Sequence, residues 1–112
     1  MTYDMLESKV RTLVNDTQEP YRFAQNTIFG FIQDAVRHLR NINPAEKYGM
    51  NGLMDEDIPA PDMDVEIRFD PRHEEAVVKY AAHLVYQLDM TDSVNLQISE
   101  TLRTRSEALM QL

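Results

Sequence analysis

At 112 residues and 13.0 kDa, with 43 % hydrophobic and 27 % charged residues, the chain is one domain's worth of ordinary globular composition; collagen-like, low-complexity and wholly disordered classes are excluded. The absence of cysteine excludes a disulfide framework, a thiolate metal site and a Cys nucleophile. Nineteen Asp and Glu against 11 Lys and Arg give a net charge of −8, which argues against a broad phosphate footprint on nucleic acid. No apolar run approaches the roughly 20 residues that span a bilayer. The opening Met1-Thr2-Tyr3-Asp4 lacks a basic flank and a hydrophobic signal core, so the expectation is a soluble intracellular protein with no membrane partner.

Helical spacing appears first at Tyr3, Leu6, Val10, Leu13 and Val14, which predicts a short amphipathic helix ending near Asn15 and Asp16. A second helix is predicted from about Arg22 to Ile42, with Ile28, Phe31, Ile32, Ala35, Val36, Leu39 and Ile42 on one stripe. Asn43-Pro44 stops it, because proline turns the preceding residue away from helical geometry. Asp70-Pro71 opens a third helix as N-cap and first helical residue, where the missing proline N–H costs nothing. Its stripe is Val77, Tyr80, Ala81, Leu84, Val85 and Leu88. A break at Asp89 to Asp92, with Thr91 or Asp92 as cap, leads into a fourth helix carrying Val94, Ile98, Leu102 and Leu109. So short a connection places the last two helices antiparallel, as an αα-hairpin.

Charge is unevenly spread along the chain. Residues 1–42 sum to zero, 43–70 to −6 and 71–112 to −2. The middle stretch also holds Pro44, Pro59, Pro61, Gly49 and Gly52, and it reads as a loop. A 28-residue connection is far outside the usual helix–helix range of about 2 to 8, and loops of that size are functional or disordered in isolation. Within it Met63, Val65, Ile67 and Phe69 alternate with Asp64, Glu66 and Arg68, the period of a half-buried strand. An extended arm lying on the helices is the competing reading, and a strand there would need its partner from another subunit. Because the stretch mixes acid with Met50, Leu53, Met54, Ile58, Met63 and Phe69, it is expected to order against partner subunits, Val65, Ile67 and Phe69 supplying the contact.

Catalytic and metal motifs fail on spacing. His73-Glu74-Glu75-Ala76-Val77 begins like H-E-x-x-H, but Val77 stands where the second imidazole must share the metal. His73 and His83, ten residues apart and about 280° around a helix, do not converge, and surface or interface histidines are expected. Asp55, Glu56, Asp57, Asp62, Asp64 and Glu66 suggest calcium, yet a loop beginning at Asp62 has Ile67 and His73 where an EF-hand needs glycine and glutamate. No Ser or Thr sits in a nucleophile elbow and no glycine cluster cradles a phosphate. Neither an enzyme nor a cofactor or metal site is expected.

Pro20-Tyr21-Arg22-Phe23, then Ile28-Phe29-Gly30-Phe31-Ile32-Gln33-Asp34-Ala35 and Asn43-Pro44, resemble the opening helix of the head–tail connector proteins of tailed bacteriophages, also called neck adaptor or head-completion proteins. Pro71, Ala76, Tyr80, Ala81 and Asp89 are similar to that family's first hairpin helix, whereas Ser93, Asn95 and Gln97 stand where its second carries more alanine. The resemblance covers most of the chain through short, apolar motifs. It implies a mainly α-helical four-helix subunit, a single connector domain over residues 1–112. A long acidic loop or arm (43–70) lies between helices 2 and 3, and an αα-hairpin closes the chain. It further implies a homo-oligomeric ring of about twelve copies beneath the portal protein, meeting a tail or stopper protein. DNA is passing cargo in such a ring, which assembles in the host cytoplasm and resides in the virion neck. It carries over no catalytic residue.

An acidic channel wall that repels phosphate fits that role. Arg37, Arg40, Arg103 and Arg105 are then the candidates for salt bridges to acidic loops of neighbouring subunits or the portal. Two other classes stay open. A DNA mimic or acidic protein-interaction module would spread its carboxylates over a folded face, and here they crowd into one proline-containing loop. A small metal-dependent hydrolase would need the metal spacings that fail above.

Overall fold

The computed structural model describes residues 2–17, 22–43, 46, 67, 69–88 and 93–112, with the backbone alone for residues 93 and 94. Among the described residues four α-helices are formed: α1 (Tyr3–Leu13), α2 (Gln25–Ile42), α3 (Glu74–Leu88) and α4 (Ser93–Met110). A single 3₁₀ turn, Pro71–His73, leads into α3. The chain is mainly α-helical, as the periodicity predicts.

Local chemistry sets the helix ends. Thr2 caps α1 by accepting the Met5 N–H at 3.2 Å, and Asp4 and Arg11 complement the two ends of its dipole. The helix closes in a Schellman motif: Asp16 N–H bonds the Arg11 carbonyl (2.8 Å), Asn15 N–H that of Thr12 (3.3 Å). Asn15 sits at φ 59°, a left-handed conformation that asparagine tolerates better than most side chains. At the far end of α2, Asn43 turns to an extended conformation (φ −117°, ψ 99°), consistent with the following proline in the sequence. Asp70 caps the 3₁₀ turn by accepting the Arg72 N–H at 3.0 Å, and Pro71 follows it, as the sequence implies. The expected caps Thr91 and Asp92 lie outside the described residues.

The Schellman turn aims the Asp16 carboxylate back at α1. Arg11 donates to it from one terminal nitrogen (2.7 Å) and to Glu7 from the other and from Nε (3.0 and 3.2 Å). It also reaches the Phe23 carbonyl at 3.0 Å. Asp16 accepts the Arg22 and Phe23 backbone N–H groups as well, at 2.8 and 3.2 Å, and Gln25 donates to Glu7 at 3.2 Å. Glu7, Arg11 and Asp16 are all buried. This network folds α2 back against α1, where Tyr3 and Phe29 bring their rings to 5.4 Å.

Three partners surround α3. It packs most extensively on α4, then on α2, then on α1. His83 meets Ser99 near the connection, and the opposite ends of α3 and α4 come together through Asn43, so the pair is an antiparallel hairpin. Being covered on several sides, α3 buries Ala76, Val77, Val78, Ala81, Ala82, His83 and Val85, more than one stripe's width. Its three alanines let neighbouring backbones approach.

Several expectations are corrected here. Gln25, not Arg22, begins α2, and Phe29 is buried on it while Phe31 and Ile42 are only partly so. Leu13 and Leu88 are exposed, Leu88 by 58 %, and Leu84 is half-buried, because α3 turns its Val77–Ala81–Val85 line to the centre. The inner line of α4 is Ser99, Leu102, Ser106 and Met110, with Ile98 and Leu109 at its margin; the Val94 side chain lies outside the described residues. Asn95 and Gln97 do not prevent the helix.

Ile32 is fully buried at the α2 centre, so Ile32→Ala should cost about 2–5 kcal/mol. In thermal melts Leu84→Ala should cost less, and Leu88→Ala no more than ~0.5 kcal/mol; an inverted order would mean that α3 seats on a different face. Arg11→Met strands the Glu7 and Asp16 carboxylates in a buried turn and should cost ~3–5 kcal/mol by denaturant unfolding. An unchanged midpoint would remove the ionic turn from the stabilising set.

Candidate interaction site

Both ends of the long connection meet on one buried carboxylate. Glu46 accepts the Asp70 N–H with both oxygens, at 3.0 and 3.2 Å, and pairs closely with His73 Nδ1. A carboxylate oxygen only accepts, so that ring nitrogen carries the hydrogen. The Glu46 side chain is largely covered and His73 fully. Asn43 Nδ2 lies 3.5 Å from His73 Nε2 and donates to the Met110 carbonyl at 2.9 Å, which ties in the last residue of α4. The take-off of the connection, its return and the closing end of the hairpin are thereby held together.

Ile67 is 2 % exposed and belongs to the chain's own core, with Phe69 packed against it. Ile67 is thus covered within its own subunit rather than by the neighbouring one expected, while Phe69 remains partly exposed. Residues 63–66 and 68, Val65 among them, lie outside the described residues, as do the acidic positions 55–57 and 62. Among the described residues there is no strand.

His73 and His83 are not on the surface of the subunit. His73 is fully buried and His83 is 2 % exposed, while His38 stays partly accessible. Ser99 donates its hydroxyl hydrogen to the His83 carbonyl (3.1 Å), so the 2.8 Å contact between His83 Nδ1 and Ser99 Oγ must run from ring to hydroxyl. A nucleophile–base pair needs the reverse direction and an approach for substrate. This pair instead bonds α3 to α4. Burial pulls the His83 pKa below its ordinary 6.5, with Arg103 and His38 acting in the same direction and Glu100 and Glu107 opposing. His38 stacks on Tyr80 (centroids 4.4 Å apart), with Nε2 3.4 Å from Glu107, within ion-pair reach but without hydrogen-bond alignment. Burial raises the Tyr80 pKa, helped by Glu107 and Asp34 against Arg103. At the other side of α2, burial raises the Tyr3 pKa while Arg37 and Arg40 lower it.

The four candidate arginines do not converge. Arg37 is exposed and bonds Asp34 at 2.9 Å; Arg40 is half-buried, and both act on Tyr3. Arg103 pairs with Glu100 at 3.2 Å and faces Tyr80 and His83. Arg105 is exposed beside Thr101 and Thr104 on the outer face of α4. An open groove of about 670 Å³ runs between α1 and the start of α3, with Leu13 and Val78 among its apolar wall and Lys9, Arg72 and Lys79 among its charges. Lys9 pairs with Glu74 across it, and Lys79 with Glu75 at 2.8 Å. Among the described residues no group of three or more His, Asp or Glu could hold a metal ion.

Comparison of the chain with protein-family models, curated proteins and solved structures gives no match. Among the described residues no helix is long and apolar enough to cross a membrane.

Two features escape a reading of the sequence. The Glu7–Arg11 spacing is a visible i,i+4 pair, but its burial depends on Asp16 and Phe23 arriving from the turn. The Glu46–His73 contact spans 27 residues, and no local pattern announces it. Glu46→Ala, which removes the acceptors of Asp70 N–H and buried His73, should cost ~1–3 kcal/mol. Glu46→Gln keeps one carbonyl acceptor and should cost less. The opposite order in chemical melts would show that the carboxylate does not anchor the connection.

Proposed function

We propose that the chain is a structural subunit of a phage head–tail connector, a ring that links portal to tail and lines the passage for DNA, and that it acts by assembly rather than catalysis. The observation that carries this reading is the order and length of its helices. A short helix of 11 residues precedes one of 18, a long connection follows, and a hairpin of 15 and 18 residues closes the chain. That is the architecture which the resemblance around Pro20–Ala35 and Pro71–Ala81 implies.

The distribution of charge supports it. The helical scaffold contributes little of the net −8, and the long connection contributes −6. A scaffold closed by its own ion pairs, with an acidic segment based on Glu46 and Asp70, suits a subunit whose neighbours present basic surface. An acidic passage also avoids strong phosphate contact with moving DNA. Arg37, Arg103 and Arg105, all exposed, are the candidate arginines available to neighbouring subunits.

Light scattering with negative-stain imaging tests the reading: closed rings, alone or on portal protein, are expected. A stable monomer that captures a basic nucleic-acid-binding protein would favour the mimic. Because Ile67 is core, the arm is tested at Val65. Val65→Asp should abolish ring formation with helix content intact, by several kcal/mol of desolvation at the contact, whereas Ile67→Asp should unfold the subunit. Normal rings from Val65→Asp would remove residue 65 from the interface.

A further inference from the structure

The chain contains three histidines, and each bears on α4. His83 bonds Ser99 in the first half of that helix, His38 Nε2 lies 3.4 Å from Glu107 near its end, and His73 reaches Met110 through Asn43. Among the described residues α4 carries few large buried apolar side chains. Its buried apolar residues are Leu102 and Met110, with Ile98 and Leu109 partly covered, and the rest of its inner line is serine. Ahead of Leu102, Ile98 and the His83–Ser99 bond are among the contacts that seat it.

The Nδ1–H of His83 is already committed to Ser99, so an added proton goes to Nε2 of a ring that is 2 % exposed. The groups that face this ring are Tyr80 on α3 (centroids 5.0 Å), His38 on α2, and Glu100, Arg103 and Glu107 on α4. Among the described residues no carboxylate hydrogen-bonds it, so the charge would be desolvated without a direct partner. His38, towards the other end, lies 3.4 Å from the Glu107 carboxylate and stacks on the Tyr80 ring.

We propose that α4 is a pH-operated hinge: acid loosens its first half, around Ser99, from α3, while its last turns stay seated on His38 and the Asn43 clamp. The sign follows from linkage. The folded chain resists protonating His83, whose pKa is lowered from 6.5, and a loosened α4 does not. The closed seat is therefore fully stable above the ordinary imidazole value and weakens as pH falls below it toward the lowered one.

Amide hydrogen exchange on the full chain, corrected for intrinsic rates, tests this at about pH 7.5 and about pH 5.5, either side of the ordinary imidazole value. Residues 95–102 should exchange faster in acid, by up to about tenfold, the ceiling for one proton over one pH unit of linkage, while 103–110 and α2 keep their protection. His83→Asn, which retains a donor for Ser99 but cannot titrate, should abolish the difference, and His38→Asn should preserve it. An equal loss across both halves of α4, no change at residues 95–102, or persistence of the effect in His83→Asn would overturn the hinge. The wild-type chain supplies a check that does not depend on a variant folding. The midpoint of the His83 ring signal by NMR must coincide with that of the exchange change; coincidence with His38 or His73 instead would equally refute it.

Discussion

One guanidinium holds the turn on which everything else rests. Arg11 is 5 % exposed and serves two carboxylates and a carbonyl, so the α1–α2 reversal is closed by charge rather than by apolar contact. One cation against two anions would leave a buried negative charge. The Arg22 and Phe23 N–H groups on Asp16, and Gln25 on Glu7, disperse it. Buried ionic groups of this kind contribute less to net stability than to excluding alternatives, since any other turn would strand them. With the reversal fixed, Tyr3, Leu6 and Val10 are delivered to Ile28, Phe29 and Ile32, and α3 finds a preformed surface to cover.

The four helices, the Asn43 stop and the Asp70-Pro71 start were legible because each depends on neighbours within one or two turns. Which face of α3 points inward was only half legible. Apolar spacing allows either Val77–Ala81–Val85 or Tyr80–Leu84–Leu88 as the central line, and the choice is made by three helices that pack around it at once. The inner line of α4 was hidden for a chemical reason: Ser99 and Ser106 look like surface residues until their hydroxyls are seen to bond the His83 and Arg103 carbonyls at 3.1 and 2.8 Å. The histidines misled in the same way. A lone imidazole in sequence has no visible partner, and each of these acquires one only through tertiary folding.

The interface candidates fared unevenly for a related reason. Alternation of apolar residues marks burial but not the chain that provides it, and Ile67 turns out to be covered by its own subunit. Exposed charge is equally silent about geometry. Arg37, Arg40, Arg103 and Arg105 read as one basic set along the sequence, yet two of them act on Tyr3 and Arg103 acts on Tyr80 and His83. The molecule thus divides its polar inventory in two: buried groups that register helices against one another, and an acidic surplus carried outside the scaffold.

The shared carboxylate of Glu46 has a consequence for how such a chain can diversify. Both ends of the connection are bound at one point, so the loop is closed at Glu46 itself. Closing a loop twice as long costs only about 0.6 kcal/mol more. In closure entropy, therefore, a longer segment between Glu46 and Asp70 would burden the helices little, and this junction is where a graft would be tried.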